Sequence, residues 1–186
     1  YLHGFRSSPQ STKARRLADW IAGHRPEVRW HCPQLPPSPR TAIDAVFAQI
    51  EAWQAARLAV VGSSLGGYYA TWLAEHCGCR AVLLNPAVAP ARDLAGWVGV
   101  QRMYHSDVEF VFEARYLAEL ARLQVAAPSL PQRYLLIAAK GDELLDWHEM
   151  QARYAGCDVR LLEGGDHALS DFDRHLPDLL RFVGLV

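Results

Sequence analysis

The segment Val60–Trp72, VVGSSLGGYYATW, passes from one apolar run through small residues into another and carries two adjacent serines. Gly62-Ser63-Ser64-Leu65-Gly66 satisfies the pattern G-x-S-x-G and singles out the central serine, Ser64, as a candidate nucleophile. The spacing has a steric origin. On a sharp strand-to-helix turn the residues two positions either side of the nucleophile come close together. Glycine at both positions removes the Cβ atoms that would collide. The helix that follows points its free N–H groups and positive dipole end at the reacting centre. Small residues also build inert turns, so the pattern needs chemical partners. The lysine-bearing phosphate loop G-x-x-x-x-G-K-[ST] is absent, which removes the main support for nucleotide binding.

A serine hydroxyl requires a base, and the base requires an orienting group. LLEGGDHALSDF supplies His167 just after an apolar run, in a glycine-containing loop from which an imidazole can reach inward. His24, His76, His105, His148 and His175 fall in helix-like or intervening segments, and His31 falls in an expected strand. The carboxylate should follow a strand between Ser64 and His167. LLIAAKGDELLD offers Asp142 and Asp146, with Glu143 beside them. Asp142 is nearest the strand end and is favoured; Asp146 suits the N-cap of the next helix. Asp166 adjoins His167 in sequence, where neighbouring loop side chains diverge. The order Ser64, Asp142, His167 is the nucleophile–acid–base order of α/β-hydrolases.

Acyl transfer also needs donors for an oxyanion. The Leu65 N–H follows the nucleophile directly. LHGFRSS is an early loop whose Gly4 allows close approach, which makes the Phe5 N–H the second candidate, with the Arg6 N–H behind it and His3 shaping the loop. An ordinary glycine turn is the competing reading of this loop. Asn85-Pro86 reads as a turn cap with no catalytic role. Trp97, Met103, Tyr104 and Tyr116 suit the wall of an acyl pocket and core packing equally. No His, Cys, Asp or Glu cluster has metal-ligand spacing, and no metal or cofactor is expected.

These residues have to be positioned by an alternating succession of elements. Strands are expected at 27–32, 57–62, 80–86, 133–142 and 157–165, with Tyr1-Leu2 as a strand stub. Helical spacing appears in Ala14, Leu17, Ala18 and Ile21, in Ile43, Val46, Phe47 and Ile50, in the run 65–76 and in DWHEMQARYAG. Near the carboxyl end, Phe172, Leu176, Leu179, Leu180 and Val183 share a face, with Pro177 in the first turn. Such alternation implies an α/β fold, a mostly parallel sheet covered by helices on both faces, with its site at the carboxyl ends of the strands. Residues 90–130 do not fit a single crossover and read as a small helical excursion, with Tyr116, Leu117, Leu120 and Leu123 on one side.

The 186 residues suit one domain, residues 1–186, and 51% hydrophobic with 21% charged residues is ordinary globular composition. The formal net charge is -1 and the longest basic run is Arg15-Arg16, so nothing favours nucleic acid or an anionic membrane as partner. Four cysteines are too sparse for a disulfide framework. No apolar run approaches the roughly 18–20 residues of a membrane span, and no leader is evident. A cytoplasmic location is expected.

YLHGFRSSPQSTKA, PQLPP, VGSSLGGYYATWLAE, NPAV, GDELLD and EGGDHA in combination resemble the YqiA-type esterases, a compact α/β-hydrolase group, from residue 1 to at least 170. The resemblance implies esterase or thioesterase-like activity on acyl substrates and carries the family roles onto Ser64, Asp142 and His167. The expected function is a serine hydrolase cleaving small-molecule carboxylic esters or thioesters, acyl-CoA-like substrates included, through an acyl-enzyme. The alternative is a non-catalytic scaffold of the same fold that binds a ligand or protein. Chain length of the acyl group, leaving group and oligomeric state are left open by the sequence.

Overall fold

The computed structural model describes every residue except His105. In chain order, α1 (Thr12–His24), α2 (Pro39–Ile50), β1 (Ala59–Ser63), α3 (Leu65–Cys77) and β2 (Arg80–Leu84) come first. An excursion follows, made of α4 (Pro90–Asp93), β3 (Gly99–Arg102), β4 (Glu109–Phe112) and α5 (Arg115–Arg122). The chain then returns through β5 (Tyr134–Ala139), α6 (Trp147–Arg153), β6 (Asp158–Leu162) and α7 (Leu176–Val183).

The main sheet has the order β1-β2-β5-β6 and every pairing is parallel. Leu2 flanks β1 through one parallel bridge to Gly62, its N–H donating to Val61 O at 2.8 Å. Side chains alternate along each strand, so each strand feeds two layers. Val60, Ala81, Leu83, Tyr134, Leu136 and Ala138 pack with α2, α3, α5 and α6. Val61, Val82, Leu84, Leu135, Ile137 and Ala139 pack with α1 and α7. Coverage on both faces explains why β5 is an unbroken apolar run rather than an alternating one.

Two expectations are corrected. Residues 27–32 form no strand; they run past the sheet edge, where the Tyr1 amino group donates to His31 O at 2.7 Å. The single bridge made by Leu2 is too short to carry the ladder outward to them. The excursion is not wholly helical. Glu109–Phe112 pairs antiparallel with Gly99–Arg102, and after α4 helix resumes only at Arg115. The period of two in Glu109-Phe110-Val111-Phe112 decides this: Phe112 is buried while Val111 is 53% exposed. The expectation for His105 lies outside the described residues.

The excursion is fastened to the sheet layers by polar contacts. Tyr68 OH donates to Leu120 O at 2.6 Å, and Ser38 Oγ donates to Glu119 Oε2 at 2.7 Å. Arg92 forms a two-pronged pair with Glu149, both bonds 2.8 Å. Among the described residues no helix is long and apolar enough to cross a membrane.

Candidate active site

Ser64 sits between β1 and α3 with φ 56° and ψ −123°, a backbone state that costs a non-glycine residue about 1–3 kcal/mol. The glycines around it are needed for close approach. A Cβ on Gly62 would lie 2.1 Å from Gly66 O, and one on Gly66 would lie 2.0 Å from Leu2 O. The elbow is anchored to its neighbour strand: Ser64 N–H donates to Leu84 O and Ala87 N–H donates to Ser64 O, each at 3.0 Å. Ser63, by contrast, is a buried residue of β1.

At the ends of β5 and β6 the structure brings Asp142 and His167 together. His167 Nδ1 and Asp142 Oδ2 are 2.8 Å apart, with the Asp142 side chain fully buried and that of His167 17% exposed. With Nδ1–H donating to the carboxylate, Nε2 is left as the acceptor. The other carboxylate oxygen, Oδ1, accepts from Leu144 N–H and Leu145 N–H, both at 2.8 Å, which fixes the rotamer. Gly141 permits the meeting, because a Cβ there would stand 2.4 Å from Gly165 O in the histidine loop. Asp146 caps α6 by accepting from His148 N–H, Glu143 accepts from His167 N–H at 2.9 Å, and Asp166 turns to Ser170. Ser64 Oγ makes no hydrogen bond to His167 among the described residues; such bonds commonly tighten only when substrate is present.

Asn85, read from the sequence as a simple turn cap, has a larger part. It is fully buried with φ 42° at the end of β2. Its Oδ1 accepts from Ala139 N–H at 2.8 Å, and its Nδ2 donates to Asp166 O and His167 O at 3.0 and 3.1 Å. One side chain thereby ties the strand that leads to Asp142 to the loop that carries His167. Lys13, at the start of α1, also holds this loop by donating to Ala168 O. Burial pulls its ammonium down to about 8, against the opposing attraction of Asp166 and Asp142. The sequence signal for Asn85 was its place directly after a strand at the same edge as Ser64; Lys13 carried none.

The loop after Leu2 covers the elbow from the other side. A Cβ on Gly4 would lie 3.2 Å from Ser64 Cβ and 3.6 Å from Ser64 Oγ. The N–H groups of Phe5 and Leu65 have no hydrogen-bond acceptor among the described residues. His3 is a shaping residue: Nε2 accepts from Leu35 N–H at 3.0 Å and Nδ1–H donates to Gly4 O at 3.0 Å. Burial lowers its pKa, in keeping with a neutral ring. The Phe5 ring meets Trp97, Phe110 and Phe112 edge-on, so the hairpin packs on this loop. Tyr116 belongs to the same packed group, whereas Trp97 and Tyr104 are 41% and 50% exposed. The four non-glycine residues with positive φ among those described, Arg6, Ser64, Asn85 and Leu169, all lie in connections leaving this edge. No group of His, Cys, Asp and Glu fit to hold a metal is found among the described residues, and all four cysteines are free thiols.

A parallel sheet with an elbow serine after one strand, and an acid and a histidine after the last two, defines an α/β-hydrolase fold. The chain belongs to the uncharacterised protein family UPF0227, the YqiA-like family, which matches residues 1–184. Among solved structures it is similar to Est1E from Butyrivibrio proteoclasticus with ferulic acid bound, at TM-score 0.69 and 12% identity over 99% of this chain and 86% of that one. It is also similar to alpha/beta hydrolase domain-containing protein 10 from mouse, at TM-score 0.68 and 14% identity over 97% and 88% of the two chains. Tomato methylketone synthase I, an H243A variant complexed with beta-ketoheptanoate, matches at TM-score 0.64 and 13% identity over 97% and 94%. At such identities the likeness shows the fold alone, which hosts many chemistries.

Proposed function

We propose that the chain is a single-domain serine hydrolase acting on carboxylic esters or thioesters of small molecules. The observation that carries this reading is the 2.8 Å bond between buried Asp142 and His167, at the same sheet edge as the strained Ser64 elbow. In this reading His167 Nε2 accepts the Ser64 proton as Oγ attacks the acyl carbonyl, and Asp142 stabilises the imidazolium. The N–H groups of Phe5 and Leu65 receive the oxyanion; one such donor is typically worth about 3–4 kcal/mol in the transition state. When the C–O or C–S bond breaks, His167 returns its proton to the departing alcohol or thiol. Water then attacks the acyl-enzyme, giving a proton to His167; His167 passes it to Ser64 Oγ as the acyl C–O bond breaks, releasing the carboxylic acid and free Ser64.

Short p-nitrophenyl esters test this directly. Wild-type protein should turn them over and become labelled by a fluorophosphonate at Ser64. Ser64→Ala should lose about a thousandfold or more in kcat, while Ser63→Ala keeps most activity. Unchanged turnover in Ser64→Ala would refute Ser64 as the nucleophile, whereas wild-type protein that neither turns over the esters nor takes the label would leave the non-catalytic scaffold.

A further inference from the structure

Arg6 has no part in the chemistry above, yet the fold holds it in a demanding place. Its backbone is left-handed, φ 60°, directly after Phe5. Its carbonyl accepts from Tyr104 N–H at 2.7 Å and its Nε–H donates to Arg102 O at 2.6 Å. The guanidinium lies over the rings of Trp97 and Tyr104, 5.2 and 4.7 Å from their centroids. Both rings keep much of their surface open to solvent. Neither Nη group has a hydrogen-bond acceptor or a carboxylate partner among the described residues. The nearby hairpin cation, Arg102, is already paired with Asp107. Trp97 also meets the Phe5 ring edge-on at 6.2 Å. The cation and the two rings therefore adjoin the loop over Ser64, through Phe5 beside Arg6 in sequence and through the Phe5–Trp97 contact.

A planar guanidinium with unused N–H groups is a fork that fits a carboxylate or phosphate. Here the fork is preset by its Nε bond and its flanking rings, so little rotamer freedom remains to be lost on binding. Fastening the loop to the hairpin would need only the Nε bond and the ring contacts, and would leave both Nη groups idle. We infer that Arg6, framed by Trp97 and Tyr104, is an anion subsite that selects acyl substrates bearing a carboxylate or phosphate beyond the scissile carbonyl. This inference rests on the serine-hydrolase reading. The anion can sit on the acyl side, as in a dicarboxylic half-ester, or on the leaving group, as in a phosphate-bearing thiol.

Two matched substrate pairs separate these sources: p-nitrophenyl hexanoate against mono-p-nitrophenyl adipate, and hexanoyl-N-acetylcysteamine against hexanoyl-coenzyme A. For one pair, Arg6→Met should lower the anionic-to-neutral ratio of kcat/KM by about tenfold or more, chiefly through KM. Arg6→Lys should retain part of the ratio, and added salt should erode the preference in wild type but not in Arg6→Met. A ratio unchanged by Arg6→Met in both pairs, whatever the fall in absolute rates, overturns the subsite and leaves a loop fastener. Calorimetric titration of Ser64→Ala protein with adipate and with coenzyme A reads the subsite without turnover. Adding Arg6→Met should weaken one of the two by a similar factor; binding of neither, or equal binding with and without Arg6, overturns it. Failure of the hydrolase reading shows separately, as equal turnover by wild type and Ser64→Ala.

Discussion

Replacing Asn85 by alanine isolates the side chain that joins the strand leading to Asp142 to the loop carrying His167. The substitution removes three hydrogen bonds, one from Ala139 N–H and two to the carbonyls of Asp166 and His167. Asn85 and Ala139 are both fully buried, so water cannot replace the lost acceptor. An unsatisfied buried N–H costs about 1–3 kcal/mol, and each remaining bond contributes about 1 kcal/mol net. Alanine is also less tolerant than asparagine of the φ of 42° at this position. Together the hydrogen-bond terms give a loss of about 3–5 kcal/mol, to which the φ cost adds. For a chain of this length, each kcal/mol shifts Tm by about 2–4 °C, so a fall of about 6–20 °C is expected by calorimetry. Turnover of a p-nitrophenyl ester should fall as well, measured well below the new Tm, because His167 loses its tether to β5. Asn85→Asp keeps an acceptor for Ala139 N–H but turns a carboxylate toward two carbonyl oxygens, and should recover neither stability nor rate. A Tm within a degree of wild type together with full turnover in Asn85→Ala would refute the reasoning.

Other consequences follow from close approach and from charge. Gly66→Ala places a Cβ 2.0 Å from Leu2 O and should destabilise by about 3 kcal/mol or more, whereas Gly23→Ala meets nothing within 4 Å and should stabilise by about 0.5 kcal/mol; thermal melts of the two decide whether contact or composition governs. Burial depresses the folded-state pKa of His3, so its contribution to stability is present above the unfolded value of about 6.5 and is lost as pH falls through the lower folded value. Tm of wild type should therefore drop more steeply on acidification than that of His3→Gln; equal slopes would remove His3 from the account. The Lys13 ammonium beside the Asp142–His167 pair discharges as pH rises through about 8. An inflection near that pH in kcat/KM should be present in wild type and absent in Lys13→Met, and its persistence in the variant would assign it elsewhere.

The main elements could be read from periodicity, because each helix or strand shows a residue pattern of its own. Four of the five expected full strands appear, and the helices built on Leu17, Ile43, Tyr69 and Leu179 occur where their apolar spacing places them. The misreadings fell where local pattern and partner disagree. Residues 27–32 have strand-like residues but no neighbouring ladder, and 109–112 directly precede the helical pattern of 115–122, from which only the pairing with 99–102 distinguishes them. A strand is defined by its pairing partner, which the residue pattern of a single segment does not contain.

The sequence by itself determined the elbow, since G-x-S-x-G is a steric requirement written in adjacent residues, and the chain order of serine, acid and histidine. It also placed Asp142 ahead of Asp146, from distance to a strand end. Tertiary structure alone decided that Asp142 and His167 touch, because this depends on Gly141 passing against Gly165, residues from two different loops. The same holds for Asn85, whose three bonds reach 54, 81 and 82 positions along the chain. It holds again for Arg6, whose cation is defined by rings from a hairpin about a hundred residues away. Short-range steric rules leave a signature in neighbouring residue types, whereas a buried hydrogen bond or a framed cation depends on how parallel strands bring their carboxyl ends to one edge.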